Sequence, residues 1–119
     1  MAGTLKDLAS NIVKLERFDG GNFIRWQKRV RFLLTALKVV YVLTTPKPLI
    51  NPDEETLEDI RNRQKWENDD EICRGHILNT MSDNLFDVYH SITTAKELWD
   101  RLESKYMQED ATSKKFLVS

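Results

Sequence analysis

Few side chains in this sequence are of types that do chemistry, and their spacing limits what they can do. The sulfur and imidazole groups are Cys73, His76 and His90. Cys73 and His76 stand three apart, which puts them on one face of a helix. A structural zinc takes four ligands, so carboxylates would have to complete the set. A buried thiol beside a surface imidazole is the simpler reading, and no metal or other cofactor is expected. Asp69-Asp70 is the remaining catalytic candidate, but neighbours on a helix diverge by about 100° and make a poor acid–base dyad. Cys73 also falls on an apolar stripe, where a thiol is packing rather than a nucleophile. Phosphate loop, dinucleotide fingerprint and nucleophile motif are all missing. The residues argue against an enzyme and against a small-molecule substrate.

A second constellation is electrostatic. Arg25, Lys28, Arg29 and Arg31, with Arg17 nearby, make a basic face in a chain of 18 basic and 19 acidic residues, net charge -1. Four or five phosphate contacts would give weak, salt-sensitive RNA binding. A solvated helix face explains the same pattern. With so balanced a total, no global field draws the chain to nucleic acid or to a membrane. Phe32 breaks the pattern, because it lands among the basic residues. Ringed by Arg25, Lys28, Arg29 and Thr35, an exposed Phe32 fits an anchor in a subunit contact. An N-terminal arm lying over it is the other reading.

These residues need a scaffold, and the periodicity supplies one. Asp19-Gly20-Gly21 gives the freedom of a turn. Asn22 is then placed to cap a helix with its side chain, and Phe18 to fold back on the first turn. From Phe23 to near Val39 the apolar positions Phe23, Trp26, Val30, Leu33, Leu34 and Leu37 share one face, with Tyr41 beyond. Thr44–Pro52, with three prolines, reads as a surface loop. Asp53–Met81 reads as one long helix, acidic in its first turn, with Leu57, Ile60, Trp66, Cys73, Ile77 and Met81 as its stripe. Asn68–Asp70 marks a bend there, and Gly75 a weak or close-packing point. Ser82-Asp83-Asn84 restarts a short helix with Leu85, Phe86, Val88 and Tyr89. Thr94-Ala95-Lys96-Glu97 matches a capping box, and Leu98, Trp99, Leu102 and Tyr106 follow as a stripe. Glu97 and Arg101 form an i,i+4 pair on the wet side. A further helix is expected from Thr112, running to the last residue as though cut from something longer. Residues 1–17 fit either a short helix or an extended arm.

The whole is therefore an all-α bundle of about five helices, residues 18–119, preceded by an arm or short helix at 1–17. Its expected core is Trp26, Trp66, Leu98, Trp99, Leu102 and Tyr106, with one tryptophan on each major helix. At 119 residues the chain can bury such a core without cross-links. The single cysteine excludes an internal disulfide and fits a reducing compartment. No secretory signal opens the sequence, and the most apolar run, Phe32–Leu43, is too short and too charged to cross a bilayer. An interaction or assembly module is what remains.

Three blocks taken together resemble the Gag polyprotein of copia-type LTR retrotransposons, especially those of plants. They are Phe18-Asp19-Gly20-Gly21-Asn22-Phe23-x-x-Trp26; then Trp66-x-x-Asp69-Asp70 with Cys73 and Ile77; and last Thr94-Ala95-Lys96-Glu97-Leu98-Trp99-Asp100-x-Leu102-x-x-x-Tyr106. The resemblance implies a capsid-like N-terminal lobe that self-assembles into cytoplasmic virus-like particles enclosing the element's RNA. On that expectation the chief partner is the chain itself, with Phe32, Arg25, Lys28 and Arg29 as contact residues. Element RNA would be a weaker partner, through Arg17, Arg25, Lys28, Arg29 and Arg31. The second lobe and zinc knuckle of the family are not expected within these residues. A host-recruited descendant that binds a peptide or protein between helices would carry the same sequence.

Overall fold

Residues 17–108 are described by a computed structural model, and four α-helices carry them. They are α1 (Phe23–Ala36), α2 (Leu57–Asn79), α3 (Asp83–Tyr89) and α4 (Ala95–Leu102). Short 3-10 turns at Val40–Leu43 and Pro52–Glu54 lie between α1 and α2, and a π-turn, Glu103–Met107, prolongs α4. Among the described residues no β-strand forms, and the fold is all-α as the periodicity implies. Four helices lie among the described residues, against about five expected over 18–119. Both the N-terminal arm and the helix from Thr112 lie outside the described residues.

Helix ends differ from the sequence-based expectations for identifiable reasons. α1 stops at Ala36 rather than near Val39, because Lys38 adopts a left-handed conformation with φ 62°. The Lys38 N–H then donates to Thr35 O at 3.0 Å, and the Val39 N–H to Leu34 O at 3.1 Å. This pair of bonds closes a Schellman motif, and a buried Val39 supplies its apolar contact. Glycine normally signals that stop, so a lysine there gives the sequence no mark. Asn22 is also left-handed, φ 55°, and its side chain makes no cap. Asparagine serves here for the backbone shape it tolerates, not for its amide.

α2 starts at Leu57, four residues later than expected from Asp53. Thr56 and Asp59 form a reciprocal capping box, each bond 3.1 Å. Pro52–Glu54 is a separate 3-10 turn, begun by Asn51, whose side chain accepts from the Asp53 N–H. Leu57 accordingly points into solvent and Ile60 is half-buried. The buried stripe of α2 begins only at Asp69 and runs through Cys73, Ile77 and Leu78. Helical structure continues through Asn68–Asp70 and Gly75. Ser82 and Thr94 cap α3 and α4 as their types dictate, although Glu97 turns to Arg101 at 2.8 Å instead of completing a box. On α3 only Tyr89 is buried; Phe86 and Val88 are exposed.

The core gathers Val30 and Leu34 of α1, Cys73 and Ile77 of α2 and Leu98 and Leu102 of α4, all essentially inaccessible. At roughly 25 cal/mol per Å², this shared burial is the main stabilising term for so small a domain.

Candidate interaction surface

The three recognisable sequence blocks turn out to be clamps between helices. Phe18 has extended backbone pairing with the end of α2: its N–H donates to Thr80 O and its carbonyl accepts from the Ser82 N–H, both 2.8 Å. Asp19 Oδ1 accepts from the Gly21 N–H, and Gly20 takes φ 114°. That turn swings Phe23 and Trp26 onto Phe18. The Phe18 and Trp26 rings stack at 4.5 Å, and Phe18 meets Tyr106 edge-on at 4.9 Å. Such aromatic pairs add about 0.5–1.5 kcal/mol beyond their area. The Trp26 indole N–H donates to Thr80 Oγ1 at 3.1 Å, so even the polar edge of the ring is used. First and last blocks therefore meet in one aromatic cluster over the end of α2.

The middle block fastens the other side. Trp66 donates its indole N–H to Thr45 O at 2.9 Å, and is half-buried at the rim of the core rather than inside it. Thr45, the loop residue it holds, is itself exposed. Tyr41 donates to Asp69 Oδ2 at 2.5 Å, and Lys65 reaches the same oxygen at 2.7 Å. Burial alone would raise the Asp69 pKa, but the bonds from Lys65 and Tyr41 outweigh it and the carboxyl is held below its ordinary value. Asp70 accepts from the Ala95 N–H at 3.0 Å, satisfying a free donor at the start of α4; burial pushes its pKa up. The two aspartates face different elements and share no proton.

Cys73 is fully buried, and burial beside Asp70 pushes its thiol up to about 12, far from a thiolate at neutral pH. His76 is half-buried with its pKa lowered by burial, and its Nδ1 has no partner among the described residues. His90 is exposed and stacks on Phe86. No group of three or more metal-ligating side chains gathers among the described residues. No helix described is long and apolar enough to cross a membrane.

One face of α1 points outward. Trp26, Leu98, Trp99, Leu102 and Tyr106 are buried, but Phe32 is 76% exposed. It continues the stripe Arg25, Lys28, Arg29 at i, i+3, i+4 and i+7, with Arg31 one step round the helix. α1 holds no acidic residue, and these four basic side chains make no ion pair among the described residues. Arg17 differs, lying 3.8 Å from Asp83. The opposite polarity collects ahead of α2. There Asp53 and Glu54, with Glu58 just inside the helix, are exposed and make no ion pair among the described residues, and Leu57 beside them is 73% exposed. Glu55 is taken by Arg63 and Asp59 by the cap. The helical period puts Leu57 on the apolar stripe of this helix, but the acidic run from Asp53 to Glu55 just ahead of it marks a wet surface.

The model of the family described as gag-polypeptide of LTR copia-type matches residues 30–119, and the chain belongs to that family. The match begins inside α1, after the Phe18–Trp26 block. The chain is also 32% identical over 105 residues to the retrovirus-related Pol polyprotein from transposon TNT 1-94 of Nicotiana tabacum. That alignment covers 87% of this chain and 7% of the polyprotein, so the chain spans a small fraction of its relative's length. No solved structure matches it.

Proposed function

We propose that this domain is the capsid-forming lobe of a copia-type Gag. It self-assembles through lobe–lobe contacts into cytoplasmic particles that enclose the element's RNA. Family membership supports the gag role. The observation that carries the assembly step is Phe32, a large apolar side chain held out to solvent on a helix whose other face is fully committed to the core.

Sedimentation velocity of the purified chain across a wide concentration range tests it, with electron microscopy of the heaviest fractions. Reversible, concentration-dependent association is expected, and Phe32→Glu should abolish it without changing the melting temperature. A chain that stays monomeric at every concentration would overturn the reading. In cells, the same reading expects the protein in a fast-pelleting cytoplasmic fraction that Phe32→Glu disperses.

A further inference from the structure

We propose that the partner of the Phe32 face is the acidic turn before α2 on a second copy of this chain. This rests on the assembly reading above and names the two surfaces involved. Each patch centres on one outward apolar side chain, Phe32 at 76% and Leu57 at 73% exposure. Along the helix from Phe32 stand Arg25, Lys28 and Arg29; beside Leu57 in the chain stand Asp53, Glu54 and Glu58, with Arg61 one turn further on, and none of these makes an ion pair among the described residues. Apolar centre meets apolar centre, and three positive charges meet a patch of three carboxylates that keeps a net negative charge beside Arg61. That is the complementarity which fixes register and speeds encounter.

One copy does not satisfy itself. Phe18 and Trp26 fix the start of α1 to Thr80, just past the far end of α2. At about 1.5 Å per residue, Leu57 stands roughly 33 Å from Asn79, and Phe32 lies only about 14 Å along α1. Even if α1 ran straight back along α2, roughly 20 Å would separate the patches. The contact therefore needs a second copy, since every copy offers one donor face and one acceptor face: reciprocal pairing closes a two-fold dimer, and head-to-tail pairing continues into a ring or an open array. A chain with a net charge of -1 thereby carries a strong internal polarity.

Charge reversal tests it on the whole chain. One variant carries Arg25→Glu, Lys28→Glu and Arg29→Glu; the other carries Asp53→Lys, Glu54→Lys and Glu58→Lys. All six positions are exposed, and circular dichroism checks that both variants fold. Each alone should associate at least about tenfold more weakly than the parent, and an equimolar mixture should recover association. Added salt should weaken the parent's association as well, because the charges are exposed. If the acid-reversed variant associates like the parent while Phe32→Glu does not, the acceptor assignment is wrong and the assembly reading stands. If the parent never associates, both fall. Binding of a fluorescent RNA oligonucleotide that is lost in the base-reversed variant, with association unaffected in either, would assign the face to RNA and overturn the proposal.

Discussion

Two glycines in this fold should respond to alanine with opposite signs. Gly75 lies within α2, and a Cβ added there meets nothing within 4 Å. The position is therefore open, so of the two readings its place in a helix pattern allows, a weak point or a close-packing point, the first fits. Alanine loses less backbone entropy than glycine in a helix and is worth up to about 1 kcal/mol more there. Because Gly75 is only four residues from the end of α2 at Asn79, where helices fray, we expect about 0.5–1 kcal/mol of stabilisation. For a domain of this size that raises Tm by about 2–6 °C. At Gly20, by contrast, φ is 114°, and the added Cβ would sit 3.6 Å from the Tyr106 ring, an ordinary contact. The penalty there is backbone strain rather than a clash, about 1–2 kcal/mol. Urea and thermal unfolding of Gly75→Ala and Gly20→Ala against the parent measure both. A Gly75→Ala that melts lower than the parent would refute the reasoning, since it would mean the helix needs that space filled by a partner or left bare.

Trp99→Ala removes a buried aromatic from α4 and should cost about 3–5 kcal/mol, much of the stability of a small domain, so parent-like urea unfolding would refute its core placement. Thr80→Val leaves the buried Trp26 N–H without its acceptor and should cost about 1–3 kcal/mol, while Thr80→Ser, which keeps the hydroxyl, should recover most of it in the same unfolding assay. His76 has a folded pKa below its ordinary 6.5, so the unfolded chain binds the extra proton first. Its contribution to stability is complete above 6.5 and is lost as pH falls toward the folded value. An NMR titration should place the His76 midpoint below 6.5, and His76→Gln should flatten that part of the pH–stability curve; a midpoint at or above 6.5 refutes the burial argument.

Residue type and spacing alone made the all-α architecture legible, because each stripe follows the helical period and Ser82 and Thr94 cap through their own side chains. The aromatic and aspartate blocks stood out in the sequence, but their work did not. That Trp26 reaches Thr80, or Asp70 the N–H of Ala95, depends on residues 54 and 25 positions apart, which no local pattern encodes. Boundaries went astray where an unusual residue took a left-handed shape, as Lys38 does, since propensity there expects glycine. Phe32 was visible as a misfit from the helical period, and its exposure is a property of the packed helix.

The sequence by itself determined the helices, the basic stripe of α1 and the acidic run before α2, because these are local consequences of composition and period. Only the tertiary structure decided that Leu57 faces solvent, that Trp66 stays at the rim and that the two aspartates act as clamps. It also set the two charged patches apart, because burial and distance are fixed by how helices pack and not by any one of them.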